Sequence, residues 1–186
     1  MSISRLIQTL QCRAALQSMK VLVLDVDGVL TDGGLFYGEN GEVNKRFDVR
    51  DGLGIRLLQQ VGVEVVFFSG GKAGAIEVRA RHLGIQHCFF GIRDKAEGIS
   101  RLLIDLDVPA NRVAFVGDDL NDLAVRPHVG LLVATADAAA PLRRRADLVL
   151  KARGGHGAVR EFSELILKRR GHWKALAENG WRERND

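Results

Sequence analysis

Val21-Leu22-Val23-Leu24-Asp25-Val26-Asp27-Gly28-Val29-Leu30-Thr31-Asp32 is the stretch whose reading decides the fold. Four apolar residues in a row, drawn only from valine and leucine, read as a strand buried on both faces, and such strands belong to parallel sheets covered by helices. The strand runs into two carboxylates one residue apart and then a glycine. Residues i and i+2 of an extended chain point the same way, so Asp25 and Asp27 emerge together. Two uncompensated anions at the end of a buried strand are unfavourable, and a divalent cation such as Mg²⁺ compensates them. The carboxyl ends of strands are also where open parallel sheets bind ligands. One carboxylate of the pair can attack an electrophile such as phosphorus and form a covalent intermediate. The other can protonate a leaving group and then activate water.

Downstream, Gly33 to Asp48 contains Asn40-Gly41 between two short strand-like runs, the pattern of a tight hairpin. A lone hairpin is marginal in water, so this one needs something to pack on, a neighbouring subunit included. Asp51 is placed to cap a helix that contains Ile55, Leu57 and Leu58. Further strands are expected at 63–68, 85–90, 113–116, 129–134 and 147–150. Helices are expected at 73–83, 94–106, 138–144 and 158–168. Strands alternating with helices imply an α/β fold, a doubly wound, Rossmann-like parallel sheet with right-handed crossovers. The expected boundaries are an amphipathic N-terminal helix at 1–19, a core domain at 20–170 with the hairpin inserted at about 33–48, and a polar tail at 171–186.

Reactive residues recur directly after the buried strands: Ser69 after the second, then Asp118, Asp119 and Asp122 after the fourth. Lys95 opens the helix after the third. A parallel sheet brings these ends to one rim. A phosphoryl group in transfer spreads negative charge over its oxygens, so its site needs fixed cations and hydrogen-bond donors. Ser69, with the amides of Gly70 or Gly71, can donate to those oxygens, and Lys95 can neutralise charge. Asp118 can give a metal an oxygen, while Asp119 and Asp122 suit the orienting of water and of Lys95.

The chain has 186 residues, 46% hydrophobic and 27% charged, which fits one globular domain with a real core. A net charge of +4 reads as a solvated basic face or attraction for an anionic substrate, with no nucleic-acid partner expected. The two cysteines, Cys12 and Cys88, form no CxxC pair and read as reduced thiols in a cytoplasmic protein. The first residues lack the apolar core of a signal peptide, and no stretch reads as a membrane span.

The four acidic, hydroxyl and lysine sets resemble, in order, the four motifs of the haloacid dehalogenase superfamily of phosphatases. The resemblance tightens to the small 3-deoxy-D-manno-octulosonate 8-phosphate (KDO 8-phosphate) phosphatases. Its residues are 25–33 (DVDGVLTDG), 47–55 (FDVRDGLGI), 116–122 (VGDDLND) and 154–161 (GGHGAVRE). The resemblance implies a core with no large cap domain. It implies that Asp25 is the nucleophile and that Asp27 is the acid and then the base, giving its backbone carbonyl to Mg²⁺. It implies that Ser69 and Lys95 hold the phosphate, and that Asp118 completes the metal ligands with Asp25. It further implies a sugar-acid phosphate as substrate, held by Asp27, by Asp48, Val49, Arg50, Asp51 and Gly52, and by Arg56, Arg79 and Lys95. A homotetramer, in which hairpins assemble the subunits and neighbours help close each site, is implied as well.

Two positions depart from the family pattern. Ser69-Gly70-Gly71 stands where the family has Ser/Thr-Gly-Arg, with Lys72 adjacent, and Gly154-Gly155-His156-Gly157 stands where it often has Gly-Gly-Arg-Gly. Neither touches the phosphoryl-transfer residues, but both touch groups expected near the sugar. A nine-carbon sugar acid 9-phosphate is therefore the alternative substrate. A non-catalytic module of sugar-acid activation and a response-regulator-like phosphoacceptor are the alternative classes.

Overall fold

The structure, a computed structural model, describes residues 12–180. In chain order its strands are β1 (Val21–Leu24), β2 (Phe36–Tyr37), β3 (Val43–Asn44), β4 (Glu64–Phe68), β5 (His87–Phe89), β6 (Val113–Gly117), β7 (Leu131–Ala134) and β8 (Leu148–Val149). Its helices are α1 (12–18), α2 (Val49–Gln60), α3 (Gly74–His82), α4 (Lys95–Asp105), α5 (Ala140–Arg145), α6 (Ala158–Arg169) and α7 (Trp173–Asn179). Of the N-terminal helix expected at 1–19, residues 1–11 lie outside the described residues, as do 181–186 of the tail.

Six strands form one parallel sheet of order β5-β4-β1-β6-β7-β8, and β2 and β3 pair antiparallel as a separate hairpin. The chain runs outward from β1 through β4 to β5, then returns to the other side of β1 for β6. The order therefore reverses beside β1, which is where doubly wound sheets open a crevice. Alternate strand residues serve two cores. Leu22, Leu24, Val65, Phe67, Ala114 and Val116 face α2, α3 and α6; Val23, Val66, Phe68, Phe115 and Leu132 face α4 and α5. Each valine, leucine and phenylalanine among them gains about 1.5–3 kcal/mol from burial.

Three local features differ from the sequence expectation. Leu120–His128 forms a 3₁₀ segment where no element was expected. Asp119 and Asp122 make a capping box that starts it, and Pro127 within it denies a regular helix its hydrogen bond. The polar tail forms α7, docked through the Trp173 ring against the ammonium of Lys168 at 4.8 Å and the guanidinium of Arg160 at 5.5 Å. The cap of α2 is Asp48, whose carboxylate accepts from the Arg50 amide at 2.7 Å, and not Asp51.

Asp51 instead caps another helix. Its carboxylate, buried in the α2–α6 interface, accepts from the amides of Arg160 at 2.8 Å and Gly157 at 3.3 Å, at the start of α6. Burial pushes its pKa from 3.8 up to about 6, against the pull of those two amides. Between those values the unfolded chain is ionised while the native carboxyl keeps its proton, so stability falls as pH rises through the window. Asp51→Asn carries no titrating group there. Relative to that variant, the wild type should lose on the order of 3 kcal/mol between pH 4 and pH 7. Urea denaturation at each pH reads this, and a constant difference between the two proteins would refute it.

Candidate active site

Strand register decides which residues meet. Leu24 pairs with Phe67 on one side and Val116 on the other. The residue after Leu24 is Asp25, and one step past the ends of β4 and β6 come Ser69 and Asp118. The Asp25 amide donates to the Val116 carbonyl at 3.0 Å, carrying the parallel ladder one residue further and fixing where the carboxylate starts. The Ser69 hydroxyl accepts from the Gly71 amide at 2.9 Å, which curls the chain after β4 into a tight turn. Lys95 is the first residue of α4, whose cap Asp94 accepts from the amides of Ala96 and Glu97.

The Lys95 ammonium is buried between two carboxylates, 3.0 Å from Asp25 and 2.6 Å from Asp122. Asp122 uses its second oxygen to accept from the amides of Asp118 at 2.9 Å and Asp119 at 3.2 Å. Its role is thus to hold Lys95 and the loop after β6. Burial pulls the Lys95 pKa down, but Asp25 and Asp122 outweigh that and leave it above the ordinary lysine value. Burial, reinforced by Asp122, pushes Asp25 up to about 6. Burial, reinforced by Asp25, Asp122 and Asp119, pushes Asp118 up to about 8.

One lysine is too little charge for this many acids. Ligand oxygens of Asp25, Asp118 and Asp122 lie within 4.8 Å of one another, as the donors of one metal ion would. Among the described residues no hydrogen bond reaches the Asp118 carboxylate, whereas Asp122 is satisfied on both oxygens. An all-oxygen set in which Asp118 has no partner and Asp25 shares only Lys95 suits a hard cation such as Mg²⁺, which Asp25 and Asp118 would hold through their side chains.

Asp25, Asp27, Ser69, Gly70, Gly71, Lys95, Asp118, Asp119 and Asn121 line a cavity of about 290 Å³. A second cavity of about 330 Å³ adjoins it under the hairpin, lined among others by Tyr37, Val43, Lys45 and Lys72. Asp27 and Gly71 belong to both. The structure therefore brings together every residue expected to do phosphoryl transfer.

It also adds Lys45, whose ammonium lies 2.6 and 2.8 Å from the two oxygens of Asp27. The signal for it was the period-two run Val43, Lys45, Phe47, which sets a lysine on the apolar face of the hairpin. Lys45 and Phe47 are half-buried, while Asn44 and Arg46 between and beyond them are exposed.

The residues expected to hold the sugar form a separate cluster. Arg50 pairs with Asp48 at 2.8 Å, and Arg79 reaches the Asp48 carbonyl at 3.5 Å and stacks over Phe47. Val49 is exposed, and Gly52 packs under Arg79. Arg56 lies elsewhere, donating at 2.8 Å to the carbonyl of His82 at the last turn of α3. None of Asp48, Val49, Arg50, Asp51, Gly52, Arg56 or Arg79 lines either cavity of its own chain.

A family model described as haloacid dehalogenase-like hydrolase matches residues 91–162. The 3-deoxy-D-manno-octulosonate 8-phosphate phosphatase of Escherichia coli K12 is 46% identical over 158 residues, covering 85% of this chain and 84% of that protein. The chain belongs to the KDO 8-phosphate phosphatase family. A crystal structure of the Yersinia pestis enzyme superposes with a TM-score of 0.85 at 40% identity, covering 88% of this chain and 89% of that one. The Moraxella catarrhalis KDO 8-phosphate phosphatase, solved with magnesium, phosphate and KDO, superposes at 0.87 with 32% identity, covering 91% and 97%.

Against the pattern of KDO 8-phosphate phosphatases, Gly71 matters more than His156. A Cβ at Gly71 would sit 3.2 Å from the Ser69 hydroxyl, 3.3 Å from Asp27 and 3.7 Å from the Lys45 ammonium, at the junction of the two cavities. His156 is exposed, and its ring nitrogen Nδ1 lies 2.8 Å from the Gly154 carbonyl of its own turn.

Proposed function

We propose that this chain hydrolyses KDO 8-phosphate to KDO and inorganic phosphate, with Asp25 as nucleophile and Asp27 as acid and base. The observation that carries the reaction is the rim cluster: a buried carboxylate held by Lys95, a second carboxylate two residues on, and a free Asp118 beside both. The 46% identity to the E. coli enzyme supports the choice of sugar.

Asp25 attacks phosphorus, and the ester oxygen leaves with a proton from Asp27. Asp27, now a carboxylate, takes a proton from water, which attacks the phosphoryl group on Asp25 and frees phosphate. Ser69, the Gly70 amide and Lys95 bind the phosphoryl oxygens. A magnesium ion held by Asp25, Asp118 and the Asp27 carbonyl would neutralise charge on phosphate and carboxylates alike.

The protein works in the cytoplasm as a homotetramer. The exposed, apolar Leu35, Phe36, Tyr37 and Val43 of the hairpin support the assembly. So does the cluster expected to hold the sugar, none of which lines either cavity of its own chain and which would serve a neighbour's. Among the described residues no helix is long and apolar enough to cross a membrane.

Steady-state kinetics with Mg²⁺ against eight- and nine-carbon sugar-acid phosphates tests the substrate. KDO 8-phosphate should lead in kcat/KM by about tenfold or more, roughly 1.4 kcal/mol of discrimination. A nine-carbon acid in front would move the assignment to the alternative, and no phosphate release from any of them would end it.

A further inference from the structure

We propose that Lys45 is a positioning residue for proton transfer, presenting the Asp27 carboxyl to the leaving oxygen and stabilising the charge it acquires. The inference rests on the reading of Asp27 as acid and base given above. Its ground is geometric. One ammonium sits 2.6 and 2.8 Å from both oxygens of Asp27. The Lys45 side chain is 9% exposed and that of Asp27 37%, so the ammonium is buried while the carboxylate it holds stays open to the cavity.

The direction of approach matters as much as the distance. Asp27 lines both cavities, whereas Lys45 lines only the one beneath the hairpin. The ammonium therefore reaches Asp27 from the cavity beneath the hairpin, and not from the one that Asp25, Ser69 and Lys95 line. Each carboxylate of the pair thus has its own lysine: Lys95 from the packed helix α4 for Asp25, and Lys45 from the hairpin for Asp27.

The chemistry needs such a group. As the bond from phosphorus to the ester oxygen breaks and the bond to Asp25 forms, the proton of Asp27 passes to the departing oxygen. Negative charge then appears on the two oxygens that face Lys45. A fixed cation aimed at the place where charge develops stabilises that charge without having to reorient. Because Lys45 rides on a hairpin whose apolar residues are exposed, proton transfer is tied to the support of that hairpin.

The test compares Lys45→Met and Lys45→Arg on two esters, KDO 8-phosphate and p-nitrophenyl phosphate, with Mg²⁺. An alkyl oxygen needs a proton to leave and p-nitrophenolate does not. The ratio kcat/KM ends at loss of the leaving group and so isolates this step. Lys45→Met should lower kcat/KM for KDO 8-phosphate by about 10- to 100-fold, a part of the usual contribution of a general acid. The loss on the aryl ester should be smaller by about tenfold, and Lys45→Arg should restore most of the difference. In an Asp27→Asn background Lys45→Met should cost the alkyl ester nothing more.

Equal losses on both esters, or additive losses in the double variant, would make Lys45 a mere tether of the hairpin and overturn the proposal. A wild-type protein inactive on both esters would instead remove the phosphatase reading, and the role of Lys45 with it.

Discussion

Asp25→Asn should lower kcat by about 10⁴-fold or more and yet raise the melting temperature of the metal-free protein. The first effect follows from chemistry. An amide oxygen does not displace an ester from phosphorus, and no other carboxylate stands where Asp25 does. Asp122 is spent on Lys95 and two amides, and Asp27 is held by Lys45. The second effect follows from electrostatics. Burial and Asp122 push Asp25 up to about 6, so at pH 7.5 the native state holds an ionised group that the unfolded chain carries more comfortably. A group with a raised native pKa supports folding below its unfolded value and loses that support as pH rises through the native one. Above pH 6 the burden on Asp25 is therefore complete. Asparagine has the same shape and no charge, leaves Lys95 its 2.6 Å bond to Asp122, and relieves Asp118, whose own value is raised partly by Asp25. Each kcal/mol relieved should appear as about 2–4 °C in a chain of this size. Thermal unfolding in a chelating buffer at pH 7.5 reads it, beside phosphate release. Added magnesium should then stabilise the wild type more than the variant, because only the wild type keeps both carboxylates. Substantial remaining turnover would sink the nucleophile assignment. A lower melting temperature would show that the bond to Lys95 outweighs the burial of charge.

What the sequence disclosed follows from where chemistry and periodicity coincide. Apolar runs ending in Asp25, Ser69 and Asp118 carried the sheet and the phosphoryl-transfer residues together, because a parallel sheet converts positions after strands into neighbours. Lys45 was harder to see. Its partner Asp27 is 18 residues away across a hairpin, and no local pattern states that the hairpin folds back over β1. Asp51 was legible as a cap but not as the cap of α6, since its amide donors lie at Gly157 and Arg160, more than 100 residues along. The arginines are the opposite case. Arg56 and Arg79 carry the right chemistry for a sugar carboxylate, yet within one chain they attach to His82 and Asp48. The 3₁₀ segment after β6 escaped because a capping box starts a helix without stating its pitch.

Gly154→Ala tests a support of the nucleophile loop that no charged residue supplies. A Cβ at position 154 would lie 1.8 Å from the Gly28 carbonyl oxygen, 2.5 Å from its carbon and 3.2 Å from the Thr31 carbonyl oxygen. All three are backbone atoms, so no rotamer change relieves the contact. The loop can retreat only by displacing the Asp118 side chain. Gly28 sits at φ +86°, and the Asp118 carboxylate occupies the space where a Cβ of its own would stand. The Gly155 amide ties the same loop through the Val29 carbonyl at 2.9 Å. The added methyl must therefore push Asp27 and Gly28 toward Asp118 or push the turn at 154–157 off its seat. Overpacking of this kind costs about 3 kcal/mol, and a displacement of the acid–base residue by about 1 Å costs about 100-fold in kcat. Gly62→Ala separates wedge from strain. Gly62, unlike Gly154, has a positive φ, at +76°, and its Cβ would meet nothing within 4 Å; it lies between α2 and β4, at the far rim of the sheet. That variant should lose about 1–2 kcal/mol of stability and keep its kcat. If Gly154→Ala is equally destabilised but turns over normally, the loop carrying Asp25 and Asp27 holds its shape without the 154–157 turn. The strictness of glycine at 154 would then belong to folding alone.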